Sequence, residues 1–444
     1  MSATMQIGRR PNPGGGYFFF DTDGADLSRA NNDVMQLIRS SAVQESDAVA
    51  NCRPGTIGVR VFETIQEAEG VWKRFEADAE HYVFQSCAWL NCWQTCVGES
   101  RGIRPCIVLV ENGVGVPVML LPLGLARRGG IARIGWLGGR ITDYHAPLLA
   151  PDWRKLLDGR PFAEVWAAVR QRLPVHDIVV LEKQPERIGA QPNPFLELAC
   201  FPHPSNAHQA TLSGSFDEFL HSRCSSRSLR RDRKRERKMA QRGATNFRVA
   251  HNAVEARRIA AAMLRQKSAA LRRLGARDLC ADPRHVDLID KLCARHVASG
   301  FVQFWALEIG AHIVATMCGL SHRGRYYGLM RSYDAAYARY SPGTLLQHRM
   351  IEWCAAHGIH TVDFTIGDEN YKSAWCDQEL RLYDCVYGTS WRGRLVAPAL
   401  RVARQLKRRI KQSPRLFGIA RALRAGVAVL RARPGARATA VDRD

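Results

Sequence analysis

The order of strand and helix signals predicts an α/β protein made of two tandem units of similar outline, and three observations carry that expectation. Two β-rich runs joined by a turn and followed by a third strand occur at 103–138, and a three-run meander occurs again at 301–334. Each set leads into a comparable turn, although the likeness lies in patterning rather than in a clean sequence repeat. A Pro/Asn-rich passage at 191–206 separates the two units. With 444 residues, the chain can bury a core in each unit without disulfides.

Residues 1–55 mix Gly, Pro, Asn, Asp and Ser with little periodicity and read as a flexible leader. The first unit, 56–200, opens with a strand at 58–64 and helices at 65–80 and 86–99, the second capped by Ser86. Its hairpin turns at Asn112-Gly113, a third strand covers 131–138, and a turn carries Thr142, Asp143 and Tyr144. A helix near 161–172 and a strand at 176–182 complete it. The second unit, 201–390, begins with a basic helix over 215–243 and a strand at 245–251, followed by helices at 253–274 and 284–299 and then the meander. A basic amphipathic tail occupies 391–444.

Charge is localised. The formal net charge is +22; the stretch Arg223–Arg248 contributes +9 and the stretch from Arg392 to the C-terminus +13, which together account for all of it. The remainder is balanced, so a diffuse nucleic-acid footprint is excluded. The 13 Cys lack the paired spacings of thiolate metal sites and read as buried free thiols in a reducing, cytoplasmic compartment. No apolar core with a cleavage site follows Arg9 and Arg10, and no run long enough to span a bilayer occurs, so secretion and membrane crossing are not expected.

The most regular passage is 337–367. Ser341 is placed to cap a helix with Pro342 in its first turn, apolar residues recur at Leu345, Leu346, Met350 and Ile351, and Gly358 ends the helix before a strand at 360–366. Free amides at Gly343, Thr344 and Leu345, aided by the helix dipole, would hold a phosphate or pyrophosphate, although most such starts only cap a helix. No Walker-type or dinucleotide glycine loop accompanies it.

From about 56 to 390 the chain resembles the acyltransferase domain of the CelD/BcsL-like proteins of cellulose biosynthesis, a branch of the GNAT superfamily related to the Fem-type aminoacyltransferases. The resemblance rests on Tyr340, Ser341, Pro342, Gly343, Gly358, Asp363, Phe364, Gly367, Asp368, Glu369, Tyr371, Lys372 and Trp375, with support from 83–90 and 141–149. It implies two tandem GNAT-like domains, a duplicated acyl-CoA N-acyltransferase fold. It further implies acyl-coenzyme A, acetyl-CoA included, as donor, and an amine on an amino sugar or polysaccharide precursor as acceptor, in exopolysaccharide or cellulose-type synthesis. The coenzyme's pyrophosphate would lie at Ser341, Gly343, Thr344 and Leu345, and its pantetheine arm along Met330, Arg331, Ser332 and Tyr333.

Acyl transfer to an amine needs a base, an oxyanion donor and a proton source for the thiolate. Asp363, in the apolar strand "VDFTI", is either functional or tied into a structural hydrogen-bond network. Glu369 is the alternative base, or a solvated loop acid. Tyr371 either protonates the thiolate or packs; Lys372 either neutralises phosphate or faces solvent. Asp143 and Tyr144 match the family's aspartate-aromatic turn and would form the opposite wall of the acceptor cleft, with turn capping by Asp143 equally open. No metal is expected, since His348, His357 and His360 lack companion ligands.

The basic helix at 227–238 reads as a solvated face, a contact for an anionic ligand, or a nucleic-acid clamp. The segment 395–438 alternates apolar residues with Arg at helical spacing and suits the anionic inner face of the cytoplasmic membrane, a protein partner, or a free tail. Three function classes follow: an N-acyltransferase, a Fem-like aminoacyltransferase fed by aminoacyl-tRNA, and a catalytically inactive scaffold of the same fold.

Overall fold

A computed structural model of the chain describes residues 57–276, 278–367 and 372–413. The predicted leader, the candidates Glu369 and Tyr371, and the tail beyond Ser413 lie outside those residues.

The first strand, β1 (Gly58–Phe62), leads to α1 (Ile65–Asp78), capped by the Thr64 hydroxyl, which accepts from the Glu67 amide at 3.1 Å. Ser86 caps α2 (Cys87–Trp93) in the same way, and the helix runs on into a wider turn at Gln94–Gly98. Then β2 (Arg104–Glu111), β3 (Pro117–Arg128) and β4 (Ile131–Trp136) form the expected meander. Its first turn differs from the Asn112-Gly113 signal. The Asn112 side-chain oxygen accepts from the Val114 and Val116 amides, and the left-handed residue is Gly115, at φ 80°. After β5 (Leu148–Leu149), α3 (Trp153–Leu156) and α4 (Phe162–Arg172), β6 (Ile178–Pro185) returns parallel to β4. A small ribbon, β7 (Arg187–Ile188) with β8 (Gln191–Pro192), leads into the Pro/Asn-rich passage, which then holds β9 (Cys200–Pro202).

The chain next enters the second sheet through β10 (Ala207–Thr211). The helix predicted over 215–243 is two helices, α5 (Phe216–Arg223) and α6 (Ser226–Ala240), because Ser225 breaks off to cap the second, its hydroxyl accepting from the Ser228 amide. There follow β11 (Thr245–Val249), α7 (Ala253–Arg273), α8 (Pro283–His296), and the meander β12 (Val302–Ile309), β13 (His312–His322) and β14 (Arg325–Tyr333). Then α9 (Pro342–Ala356) leads to β15 (Thr361–Ile366), α10 (Lys372–Trp375) and β16 (Gln378–Leu380). β17 (Leu382–Gly388) and α11 (Trp391–Gln412) close the described chain.

The two large sheets have the same plan. One runs β1-β2-β3-β4-β6-β17-β9 and the other β11-β12-β13-β14-β15-β10-β16. Each is an antiparallel meander followed by one parallel neighbour reached through a helix, the connection that parallel pairing requires. The late strand β17 inserts into the first sheet between β6 and β9, although it lies within the sequence-predicted second unit. The sheets are therefore tied by two short crossings, from β9 to β10 and from β16 to β17. One apolar cluster spans both, with Phe84, Trp89 and Tyr144 from the first unit beside Phe304, Leu320 and Tyr327 from the second. Such a shared core makes independent motion of the units costly.

One cysteine expectation changes. Cys200 and Cys385 face each other across β9 and β17, with Cα atoms 4.4 Å apart, and form a disulfide. A sequence separation of 185 hides that pairing from the linear spacing. Ten other cysteines among the described residues are free. Among the described residues, no group of three or more His, Cys, Asp or Glu is placed to hold a metal, and no helix is long and apolar enough to cross a membrane.

Candidate active site

The parallel strands β14 and β15 pair for only three residues, Arg325 with Thr361, Tyr326 with Val362 and Tyr327 with Asp363. Both strands continue beyond, but no ladder joins them, and a cavity opens there, lined by Gly328, Met330, Arg331, Gln347, Met350 and Asp363. The separation has local causes. Against β13, the register slips between Gly319–Gly328 and Cys318–Met330, so β14 carries an extra residue at Leu329 and bends. Gly319 is required there, since a Cβ would fall 2.5 Å from both the Tyr326 hydroxyl and the Tyr327 carbonyl oxygen. On the other strand Thr365 adopts a left-handed backbone, φ 57°, and its hydroxyl donates to the Gly328 carbonyl at 3.0 Å. That side chain satisfies a carbonyl at the point where the ladder stops.

Asp363 is the pivot of this arrangement and is fully buried. Its Oδ1 accepts from the Tyr144 hydroxyl at 2.6 Å and from the Thr365 amide at 2.8 Å. The Arg325 guanidinium stands 3.6 Å from Oδ2, yet Oδ2 has no hydrogen-bond partner. Burial holds the carboxyl above its ordinary range, against the opposing pull of Arg325 and Tyr144. Of the two readings left open by the sequence, the geometry matches the network: Asp363 clamps the first unit's Tyr144 to the edge of the gap. Tyr144 is buried as well, its carbonyl accepting from Gln85 at 2.8 Å and its ring packed on Phe84 and Tyr82.

Asp143 lies beside it, nearly as buried, with Oδ1 lacking a partner. Burial pushes its carboxyl up to about 6, opposed by Lys183, the Thr365 hydroxyl and Lys372, while the charge of Asp363 adds to the rise. Two carboxylates, Asp363 on β15 and Asp143 on the first unit's turn after β4, thus converge on Thr365. Lys372 is neither solvent-facing nor phosphate-facing. Its buried ammonium donates to the carbonyls of Thr365 at 3.1 Å and Ile366 at 3.0 Å, fixing the end of β15.

The residues expected along the donor divide. Met330 and Arg331 line the cavity. Ser332 turns away, its hydroxyl bonded to Thr316 at 2.7 Å and to Gln266 of α7 at 2.9 Å, and Tyr333 packs, half-buried, in the second unit's core. At the start of α9, Ser341 sits in a left-handed conformation, φ 52°, and its side chain caps nothing. Its carbonyl accepts from the Thr344 and Leu345 amides at 3.0 and 3.3 Å, so these two are not free as expected. The Gly343 amide alone of the three has no partner among the described residues. Positive charge is supplied instead by neighbours: Arg242, just past α6, and Arg339 flank the Tyr340 hydroxyl, immediately before α9.

Four contributors were not singled out from the sequence: Arg325, Thr365, Lys183 and Gln347. Gln347, 2% exposed, accepts from Arg331 at 2.8 Å through Oε1, which leaves its Nε2 without a partner on the cavity wall. An amide donor and a carboxylate oxygen, each without a hydrogen-bond partner, therefore line one cavity. Those are complementary to a secondary amide, the group that recurs along a pantetheine arm. No single residue type announces such a pair in a linear sequence.

The profile of the Acetyltransferase (GNAT) domain family matches residues 226–373, the stretch that runs from α6 through the gap to α10. The chain is thus a mixed α/β protein with two GNAT-like sheets. No curated protein matches the sequence. Among solved structures, FemX is 11% identical, with 73% of this chain and 96% of that one covered and a TM-score of 0.49. A tandem GNAT protein from the clavulanic acid biosynthesis pathway is 12% identical, with 76% and 99% covered and a TM-score of 0.42. A conserved protein of unknown function from Bacteroides thetaiotaomicron VPI-5482 is 9% identical, with 74% and 99% covered and a TM-score of 0.46. At these identities and scores the likenesses assign neither an activity nor a site.

Proposed function

We propose that the chain is an N-acyltransferase that moves an acyl group from acyl-coenzyme A to an amine. The observation that carries this reading is the gap between β14 and β15, where Gln347 Nε2 and Asp363 Oδ2 are buried and unpaired within the stretch matched as a GNAT acetyltransferase domain. The thioester arm enters the gap, with the amide of Gly343 and the guanidinium groups of Arg242 and Arg339 toward its phosphates. Along the arm lie Met330 and Arg331. The attacking amine approaches from the wall built by Asp143 and Tyr144.

Asp143 is the base in this proposal: burial raises its carboxyl to about 6 and its Oδ1 has no hydrogen-bond partner, while Asp363 holds the Tyr144 hydroxyl and the Thr365 amide through Oδ1 and faces Arg325 through Oδ2. The amine loses a proton to Asp143, its nitrogen bonds to the thioester carbon, and the C–S bond breaks as the electron pair leaves on sulfur. The backbone at the Leu329 bulge is the proposed donor to the developing oxyanion. Glu369 and Tyr371, outside the described residues, are the proposed partners for the amine and the leaving thiolate. The resemblance to CelD/BcsL-like proteins supports an amino sugar or polysaccharide precursor as the acceptor, in exopolysaccharide or cellulose-type synthesis.

A second reading, transfer from aminoacyl-tRNA, is favoured by the row of exposed Arg and Lys on α6 beside the 3-10 turn that precedes α9. One binding comparison separates the two. Acetyl-coenzyme A, longer acyl-coenzymes A and aminoacyl-tRNA are titrated against the full chain; saturable binding of an acyl-coenzyme A supports the first reading. Binding of aminoacyl-tRNA alone supports the second, and binding of none supports an inactive scaffold.

A further inference from the structure

The last described helix, α11, is docked by Val396, Ala397 and Leu400 against Ile178, Val180 and Val386 and by its charges, and it shows a second apolar stripe to solvent. Arg404 pairs with Glu182 at 2.7 Å and Asp384 at 2.9 Å, the Arg401 Nε donates to the Val386 carbonyl at 2.6 Å, and Arg408 donates to the His203 carbonyl. The opposite face carries Trp391, Leu395, Val402 and Leu406, which are 69%, 70%, 62% and 54% exposed, together with the exposed Pro398. At 100° per residue these five side chains fall within an arc of about 80°. Scattered exposed apolar residues are ordinary, but four of the nine large ones among the described residues share this one stripe.

The charges beside the stripe all have one sign. α11 contains no Asp or Glu, and its exposed charges are Arg392, Arg394 and Arg409, with the Arg392 guanidinium 5.4 Å from the Trp391 ring centre. A second copy laid on this face would oppose cation to cation. The chain's own end, 414–444, would do the same, since it carries seven Arg and two Asp. An apolar stripe fringed only by Arg, on a helix too polar to span a bilayer, fits a surface that is apolar beneath a layer of phosphates.

We propose that this face seats the protein on an anionic lipid bilayer, with Trp391, Leu395, Val402 and Leu406 in the boundary between headgroups and acyl chains. Arg392, Arg394 and Arg409 then meet the lipid phosphates, while Arg404 stays locked to Glu182 and Asp384 and fixes the body's orientation. The inference goes beyond the acyl-transfer reading and does not depend on it.

The test is co-sedimentation of the full chain with vesicles of phosphatidylcholine alone or mixed with phosphatidylglycerol. Wild type is expected to pellet with the mixed vesicles only, and Leu395→Glu/Val402→Glu to bind them at least about tenfold more weakly with an unchanged melting temperature. Should that variant unfold, Trp391→Leu keeps the stripe apolar. Quenching of tryptophan fluorescence by brominated phosphatidylglycerol is then expected in wild type and lost in Trp391→Leu. Equal binding to both vesicle types, no binding to either, undiminished binding by a folded double variant, or quenching that persists without Trp391 overturns the proposal. So does a solution mass that halves in the double variant, which would make the stripe a contact between copies.

Discussion

The two units contain the same gap and treat it in opposite ways. In the first, β4 and β6 pair only at Arg133–Ile178 and Ile134–Val179, and β6 turns at Lys183, φ 57°, two residues after Leu181. In the second, β15 turns at Thr365, also φ 57°, two residues after Asp363. Where the first places Leu181, backed by Trp136 and Phe195 in one apolar cluster, the second places a carboxylate, a glycine, an arginine and a glutamine around a cavity. The helices differ in the same sense. The Phe162 amide at the start of α4 donates to the unit's own Glu197 at 3.4 Å, while the start of α9 has an unpartnered amide and two nearby Arg. One copy of the fold fills the gap with apolar side chains, and the other lines it with polar ones around a cavity. Unsatisfied buried groups are costly, so they mark where a ligand belongs.

The largest expected effect comes from Asp363→Ala, which strips the clamp on Tyr144 and Thr365 and removes the carboxylate that faces Arg325. Loss of about 3–5 kcal/mol of stability is expected, read by chemical denaturation. A near-neutral result would mean that the sheets are held by the apolar core alone. Trp136→Ala in the filled gap should cost about 3–5 kcal/mol through the cavity it leaves, yet create no donor site, because Leu181 supplies no polar partner. If that variant gained a second coenzyme A site, the contrast between the gaps would collapse.

Asp143→Asn is expected to lower kcat/KM by about a hundredfold while raising stability above pH 6. The sign follows from linkage: burial raises the native carboxyl from 3.8 to about 6, so the native state loses stability as pH rises through that window. The neutral variant escapes that loss, of order 2–3 kcal/mol, and should melt higher than wild type at pH 8. In wild type, kcat/KM should rise with pH up to a limb near 6 that the variant lacks. A variant that keeps the limb assigns the base elsewhere. Gln347→Leu removes the orphan donor and should raise KM for the acyl donor about tenfold with stability nearly unchanged. Glu197→Gln, which unplugs the other helix start, should cost only about 0.5 kcal/mol and leave turnover intact.

Much of the fold was legible because its signals are local. The cap at Ser86, the meander of β12 to β14 and the Gly358 stop are all written in neighbouring residues. The insertion of β17 into the first sheet and the pairing of Cys200 with Cys385 depend on partners about two hundred residues away, and no periodicity encodes them. The site was legible in part for the same reason. Asp363 stood out as a carboxylate in an apolar strand, but its partner Tyr144 lies 219 positions earlier. Lys372 looked like a surface cation until the backward turn of its side chain onto the carbonyls of β15 was visible. Ser341 has the composition of a cap, yet its left-handed backbone turns the hydroxyl away from the helix amides.

The most direct test is calorimetric titration of the full chain with acetyl-coenzyme A, beside Gln347→Leu. One site per chain is expected, weakened about tenfold in the variant and without a change in melting temperature in the absence of ligand. Two sites per chain, or one site indifferent to Gln347, would contradict the assignment of the donor to the gap between β14 and β15.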